Sequence, residues 1–215
     1  MYLAAMKRCV PLFGWCLLVI ALPAQNLLEN ASFERHPEQL GRVPHGWANA
    51  GPVSESPPDV HTNTSNYFGV QHLAAEGEAY LGMVARDNYT FEAVSQRIPG
   101  GLRAGVTYRL RLWVSHSPTL ASTSRQTGRP ARYNNPIPFD VYVAEKANGG
   151  KFELVARSEP IDHADWREYT LEFTPTRDWK FLRLGAGMNT LYARPVCGNV
   201  LIDAVELTVL ATAAQ

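Results

Sequence analysis

With 215 residues, 20 basic and 20 acidic side chains and three cysteines, the chain lacks the basic footprint that nucleic acid or anionic lipid demands. So few cysteines also exclude a disulfide-stapled scaffold, and stability must come from a buried core.

Residues 1–24 read as a signal peptide. Lys7 and Arg8 form a short positive region, 10–22 is almost wholly apolar, and Ala24 supplies a small residue before the expected cleavage at Gln25. The apolar run is too short to span a bilayer, and Trp15 in front of Cys16 does not suit a lipoprotein signal. An uncleaved anchor is the alternative. Cleavage leaves residues 25–215 as one expected domain with no membrane span, 18 basic and 20 acidic side chains, and Cys197 as its single cysteine.

Along that domain the patterning has period two. Residues 35–67 come first, rich in Pro, Gly, Ser and Asn, and read as a long loop carrying Trp47. Strands are expected at 79–84, 91–98 and 108–116, the last placing Tyr108, Leu110, Leu112 and Val114 on one face and Arg109, Arg111, Trp113 and Ser115 on the other. A second long loop, 117–138, carries Arg125, Arg129, Arg132 and Tyr133; loops of this length in a compact domain are functional or mobile. Strands follow at 139–144, 152–158, 169–173, 181–188 and 200–210, bounded by Gly, Pro, Asn or Asp. Gly100-Gly101 and Gly149-Gly150 read as turns between strands. No capped segment of helical period intervenes, so the expected fold is all-β, an antiparallel β-sandwich of jelly-roll type.

The order of several short motifs carries a resemblance. They are Asn26-Leu-Leu-Glu-Asn-Ala-Ser-Phe-Glu34, Gly46-Trp47, Gly77-Glu-Ala-Tyr-Leu-Gly-Met83, Gly105-Val-Thr-Tyr-Arg-Leu-Arg-Leu-Trp-Val114, Trp166-Arg-Glu-Tyr-Thr-Leu-Glu-Phe-Thr174 and Val200-Leu-Ile-Asp-Ala-Val-Glu-Leu207. Together they resemble the galactose-binding-like jelly roll of carbohydrate-binding modules. Ser56-Pro-Pro-Asp-Val60 and Asn66-Tyr-Phe-Gly-Val-Gln71 are similar to segments of the variant found on Bacteroidota surface proteins. The resemblance implies a non-catalytic, exported protein that binds a poly- or oligosaccharide.

It also implies a structural Ca²⁺ where the first and last strands meet, held by the positions that fall here on Glu34 and Asp203. Strict alternation puts Asp203 with Leu201, Val205, Leu207 and Val209 on a core-facing side. A carboxylate there needs a cation, an arginine or several backbone donors; Ca²⁺ accepts carboxylate and carbonyl oxygens in a flexible shell. A solvated or salt-bridged strand-end aspartate is the alternative.

Sugar rings stack their C–H faces on aromatic side chains, and their hydroxyls need forked polar partners. Trp113 beside Arg111 fits that need, and Asp140 and Tyr142 are expected on the same sheet face. Trp47, Tyr67 and Tyr133, with Asp59, His61 and Asn134, are expected to form a rim. The other reading of Trp113 is packing beneath a long loop.

Enzymatic signals are missing. There is no Gly-x-Ser-x-Gly elbow and no His-Glu-x-x-His motif, and the six histidines are scattered. A glycan-active enzyme would need two carboxylates converging in a cleft. An envelope protein that binds another protein through the jelly roll is a further reading, and it predicts a broad apolar patch.

Overall fold

The computed structural model describes residues 25–35, 41–188 and 192–210; the expected signal peptide lies outside them. Twelve strands run in the order β1 (Ala48–Asn49), β2 (Asp59–Thr62), β3 (Ala79–Ala85), β4 (Ala93–Leu102), β5 (Tyr108–Ser115), β6 (Ala121–Thr123), β7 (Pro130–Arg132), β8 (Phe139–Ala144), β9 (Phe152–Arg157), β10 (Arg167–Phe173), β11 (Trp179–Ala186) and β12 (Gly198–Val209). The first sheet has the order β1-β4-β11-β8-β9 and the second β10-β5-β12-β3-β2, while β6 and β7 pair only with each other. Every strand pairing is antiparallel.

The eight expected strands are β3, β4, β5 and β8–β12. Each alternates because one side faces a shared core: Leu81 and Met83 from β3, Leu110, Leu112 and Val114 from β5, Phe139 and Val141 from β8, and Leu182 and Leu184 from β11 all meet between the sheets. β3, β5, β10 and β12 lie in the second sheet and β4, β8, β9 and β11 in the first, so the chain crosses repeatedly over the core. That is the double-sheet jelly-roll arrangement.

Two local details differ from the sequence expectation. Gly100 and Gly101 lie inside β4, both at positive φ (75° and 76°). They form an irregularity opposite β11, where the register shifts between Trp179 and Phe181, so they bend a strand instead of joining two. The second difference is a bulge in β12 between Asp203 and Glu206, with Ala204 at φ 46°.

The bulge reverses the alternation of β12, because one unpaired residue moves everything after it to the opposite face. Val205 and Leu207 are core residues, as are Val200 and Ile202, whereas Leu201 packs on Tyr80 and Tyr133 outside the core. Asp203, directly opposite Trp113, therefore shares the outer face with Leu201 and not the core face expected for it.

Candidate functional site

The outer face of the second sheet is divided in two. Toward β10 it is charged: Arg111 pairs with Glu168 at 2.6 Å and Glu206 at 3.1 Å, beside Trp113, which is 36% exposed. These residues border a shallow open depression with Ser32 and Glu76. Toward β2 the face is apolar and covered. Tyr80 and Leu201 pack with Val70, Leu120, Tyr133 and Cys197 beneath the β6–β7 hairpin.

That hairpin forms where a loop was expected. Gly128 at φ 67° makes its turn, closed by the Gly128 N–H donating to Ser124 O at 2.9 Å. Asn199 of β12 anchors its base. Asn199 Oδ1 accepts from Ser117 N–H at 2.8 Å, and Nδ2 donates to the carbonyls of Ser117 (2.8 Å) and Tyr133 (2.7 Å). β2, also expected as loop, adds an edge strand through Asp59↔Gly82 and His61↔Tyr80.

Between β2–β3 and the hairpin lies a small cleft. It is lined by Gly82 and Val84 of β3, Asp59 and His61 of β2, Ser122 and Arg125 of the hairpin segment, and Phe68. Gly82 is required there, since a Cβ would come within 2.8 Å of His61 Nε2. Phe68 is 42% exposed and adopts φ 57° in the 3-10 turn Tyr67–Gly69.

At the back of the cleft Arg86 and Glu92 are buried together as an ion pair. Glu92 Oε1 also accepts from Ser56 Oγ at 3.2 Å, and Oε2 from Val84 N–H at 3.1 Å. Burial pushes the Glu92 carboxyl up from its ordinary range, opposed by the Arg86 charge and aided by that of Asp59. Burial likewise raises Asp59, whose Oδ1 accepts from Gly41 N–H at 2.8 Å. The His61 ring stacks on Tyr80 (5.3 Å, 11°), and burial lowers its pKa to about 4, so it is neutral at pH 7.

The expected rim residues therefore divide. Asp59, His61 and Tyr133 line the cleft, with Tyr67 half-buried and its ring 6.1 Å from His61. Trp47 does not join them: it is buried in the core, 5.8 Å from the Phe33 ring, with Nε1 donating to Asn30 O. Asp140 and Tyr142 lie on β8 in the first sheet, so they share no face with Trp113. Asp140 is buried, held by both Nε and Nη2 of Arg157 and by the Tyr142 hydroxyl at 2.7 Å. Phe68, Arg86 and Glu92 were missed. Of these only Arg86 left a signal, as the next outward position after Tyr80, Gly82 and Val84.

Glu34 and Asp203 come together at the junction of the N-terminal segment and β12. Asn26 bridges the bulge, its Nδ2 donating to Val205 O (2.9 Å) and its Oδ1 accepting from Leu207 N–H (3.0 Å). Glu34 Oε1 accepts from the N–H groups of Glu78 and Ala79 at 2.8 and 2.9 Å. A Cβ at Gly77 would collide with the same carboxylate. Asp203 is fully buried and accepts from Glu76 N–H (2.9 Å) and Ala204 N–H (2.7 Å). Its pKa is pushed up to about 7, first by burial, with the Glu34 charge adding to it. Among the described residues no basic side chain forms an ion pair with either carboxylate, and no group of three or more His, Cys, Asp or Glu could hold a metal. Two neighbouring carboxylates without a basic partner supply oxygen ligands of the kind a hard cation takes.

No protein-family model matches the chain, and no curated protein matches it. Solved structures do resemble it. A cyclase from Fischerella sp. TAU has 16% identity and a TM-score of 0.57 over 89% of this chain and 100% of that one. The K2 cleaved adhesin domain of Lys-gingipain has 9% identity and 0.52 over 85% and 97%. The CBM22-1 xylan-binding domain from Paenibacillus barcinonensis Xyn10C has 15% identity and 0.50 over 90% and 100%. At these identities the likeness is one of fold. The chain shares with them an antiparallel β-sandwich of jelly-roll type. Its likeness to the Bacteroidota variant rests on the sequence motifs alone. Among the described residues no helix is long and apolar enough to cross a membrane.

Proposed function

We propose that this chain is an exported, non-catalytic carbohydrate-binding protein that holds a poly- or oligosaccharide on the outer face of its second sheet. The observation that carries the reading is the cleft, where an exposed Phe68 ring stands beside Asp59, His61, Ser122 and Arg125. That is the pairing of an apolar platform with forked polar groups that a sugar ring needs. Trp113 and Arg111 supply a second, shallower contact area on the same face. The resemblance to a xylan-binding domain supports the reading. A glycan-array screen of wild-type protein and Phe68→Ala tests it: binding by the wild type and its loss in the variant are expected, and binding to no glycan contradicts it.

Ca²⁺ between Glu34 and Asp203 belongs to the same proposal. It supplies the missing positive charge and joins the N-terminal segment, the loop before β3 and β12. A chelator should lower the melting temperature, and an unchanged melt removes the ion from the account.

A second reading, a glycan-active enzyme, is favoured by one observation: Asp59 and Glu92 line the same cleft. The burial and hydrogen bonds of Glu92 argue against it, because it is 3% exposed and three donors from Ser56, Val84 and Arg86 hold its carboxyl group in place. Glu92 instead holds Arg86 in place. No release of reducing ends from glycans is expected; release that disappears in Glu92→Gln would replace the binding reading.

A further inference from the structure

The cleft is closed on several sides by contacts between segments distant in sequence. The Tyr67–Gly69 turn is tied to the base of the hairpin by the Thr119 hydroxyl, which donates to Gly69 O at 2.7 Å. The tip of the hairpin is tied to the turn after β3, where Ser124 Oγ donates to Asp87 Oδ2 at 2.6 Å and Arg125 N–H to Asp87 Oδ1 at 3.0 Å. Arg125 Nε then pairs with Glu55 at 2.9 Å, joining the hairpin to the loop before β2. On the side toward β12, Leu120 and Tyr133 pack on Tyr80 and Leu201 and fill the face. A groove that accepts the middle of a polymer needs two open ends. Here the hairpin stands over the sheet face, tied down by Thr119 and by Ser124, and Phe68 is an exposed ring lining the space between.

The interior also holds polar atoms without partners. Arg86 and His61 are 2% and 1% exposed and both line the cleft, yet Arg86 Nη1 and His61 Nδ1 make no hydrogen bond. Buried polar atoms are satisfied in the great majority of proteins, and each exception calls for a partner. Arg86 Nη1 can only donate, the Asp59 carboxylate can accept, and a neutral imidazole does one at each nitrogen. Donor and acceptor side by side match hydroxyl groups, each of which gives one hydrogen bond and receives others.

We propose that the cleft is an end-on site, taking the terminal sugar residue of a glycan with its hydroxyls directed toward Asp59, His61 and Arg86 and its C–H face against Phe68. This rests on the glycan reading and narrows it to chain ends.

The test is an array that presents each common terminal sugar on short and on long chains. It is probed with the calcium-supplemented protein and repeated after an exo-acting glycosidase has removed the terminal residue. Binding that follows the terminal sugar, is independent of chain length and disappears on trimming is expected. Asp59→Asn and Phe68→Ala should each weaken it about tenfold or more, the size of one lost charge-assisted hydrogen bond or stacking contact, with melting curves confirming that both variants fold. Affinity that rises with chain length, or survives trimming, overturns end-on binding and leaves the glycan reading intact. So does binding that is lost in Trp113→Ala but unchanged in both cleft variants. A wild-type protein that binds no arrayed glycan overturns both.

Discussion

Asn199 on β12 donates to the backbone carbonyl of Tyr133 at 2.7 Å, so the last strand of the second sheet holds the hairpin that walls the cleft. The same side chain closes both polar groups of Ser117 and is fully buried. Replacing it with alanine orphans the N–H and the carbonyl of Ser117 and the carbonyl of Tyr133. Each buried group left without a partner costs about 1–3 kcal/mol. Asn199→Ala should therefore lower the urea midpoint and expose the 120–133 segment to early proteolysis; unchanged cleavage there would mean that the hairpin is held by other contacts.

Trp47 and Phe68 should separate stability from binding. Trp47→Ala empties a core position and should cost roughly 3–5 kcal/mol in denaturant unfolding. Phe68→Ala removes an exposed ring and should leave the unfolding curve within about 0.5 kcal/mol while reducing glycan binding. A stable Trp47→Ala protein with impaired binding would restore the sequence expectation that Trp47 is a rim residue.

Tyr142→Phe should leave glycan affinity unchanged, because Tyr142 lies on the first sheet, with its hydroxyl committed to Asp140. Isothermal titration of the variant checks this. Weakened binding would place the ligand on the other side of the sandwich.

The buried carboxyls give stability a defined dependence on pH. Asp203 has a folded-state value of about 7, above the usual 3.8 of an aspartate. Between those values the folded protein holds more protons than the unfolded chain, so this contribution to stability is lost as pH rises through about 7. His61 acts in the opposite sense. Its value of about 4 lies below 6.5, so its contribution is present above pH 6.5 and lost as pH falls through 4. With chelator the melting temperature should drop between pH 6.5 and 8. Added Ca²⁺ should raise it more at pH 8 than at pH 5.5, since the ion requires the deprotonated carboxylate. An equal effect at both pH values would separate Ca²⁺ from Asp203.

Much of the fold was readable because half-buried strands write their two environments into the sequence. Arg109 to Ser115 alternates with Tyr108 to Val114 for that reason, and the register of β5 against β10 and β12 follows it. β1, β2, β6 and β7 are two to four residues long, too short for a period, and are defined by the partners they pair with. The β12 bulge was hidden because one extra residue leaves the printed alternation unbroken while reversing the faces beyond it. The junction of Glu34 with Asp203 emerged from the family resemblance, although the face assigned to Asp203 was wrong. The cleft was legible only in pieces. Asp59, His61 and Tyr133 were visible as polar or aromatic residues on long loops, but the way those loops fold back, burying Trp47 and exposing Phe68, depends on contacts such as Asn199–Tyr133 between residues 66 positions apart.

The most direct measurement of the central claim is a ¹⁵N chemical-shift titration of the protein with an oligosaccharide that binds on the array. Shifts concentrated at Asp59, His61, Phe68, Arg86 and Arg125 are expected, with smaller changes near Trp113. Shifts confined to the first sheet, around Tyr142, Phe152 and Arg183, would contradict it.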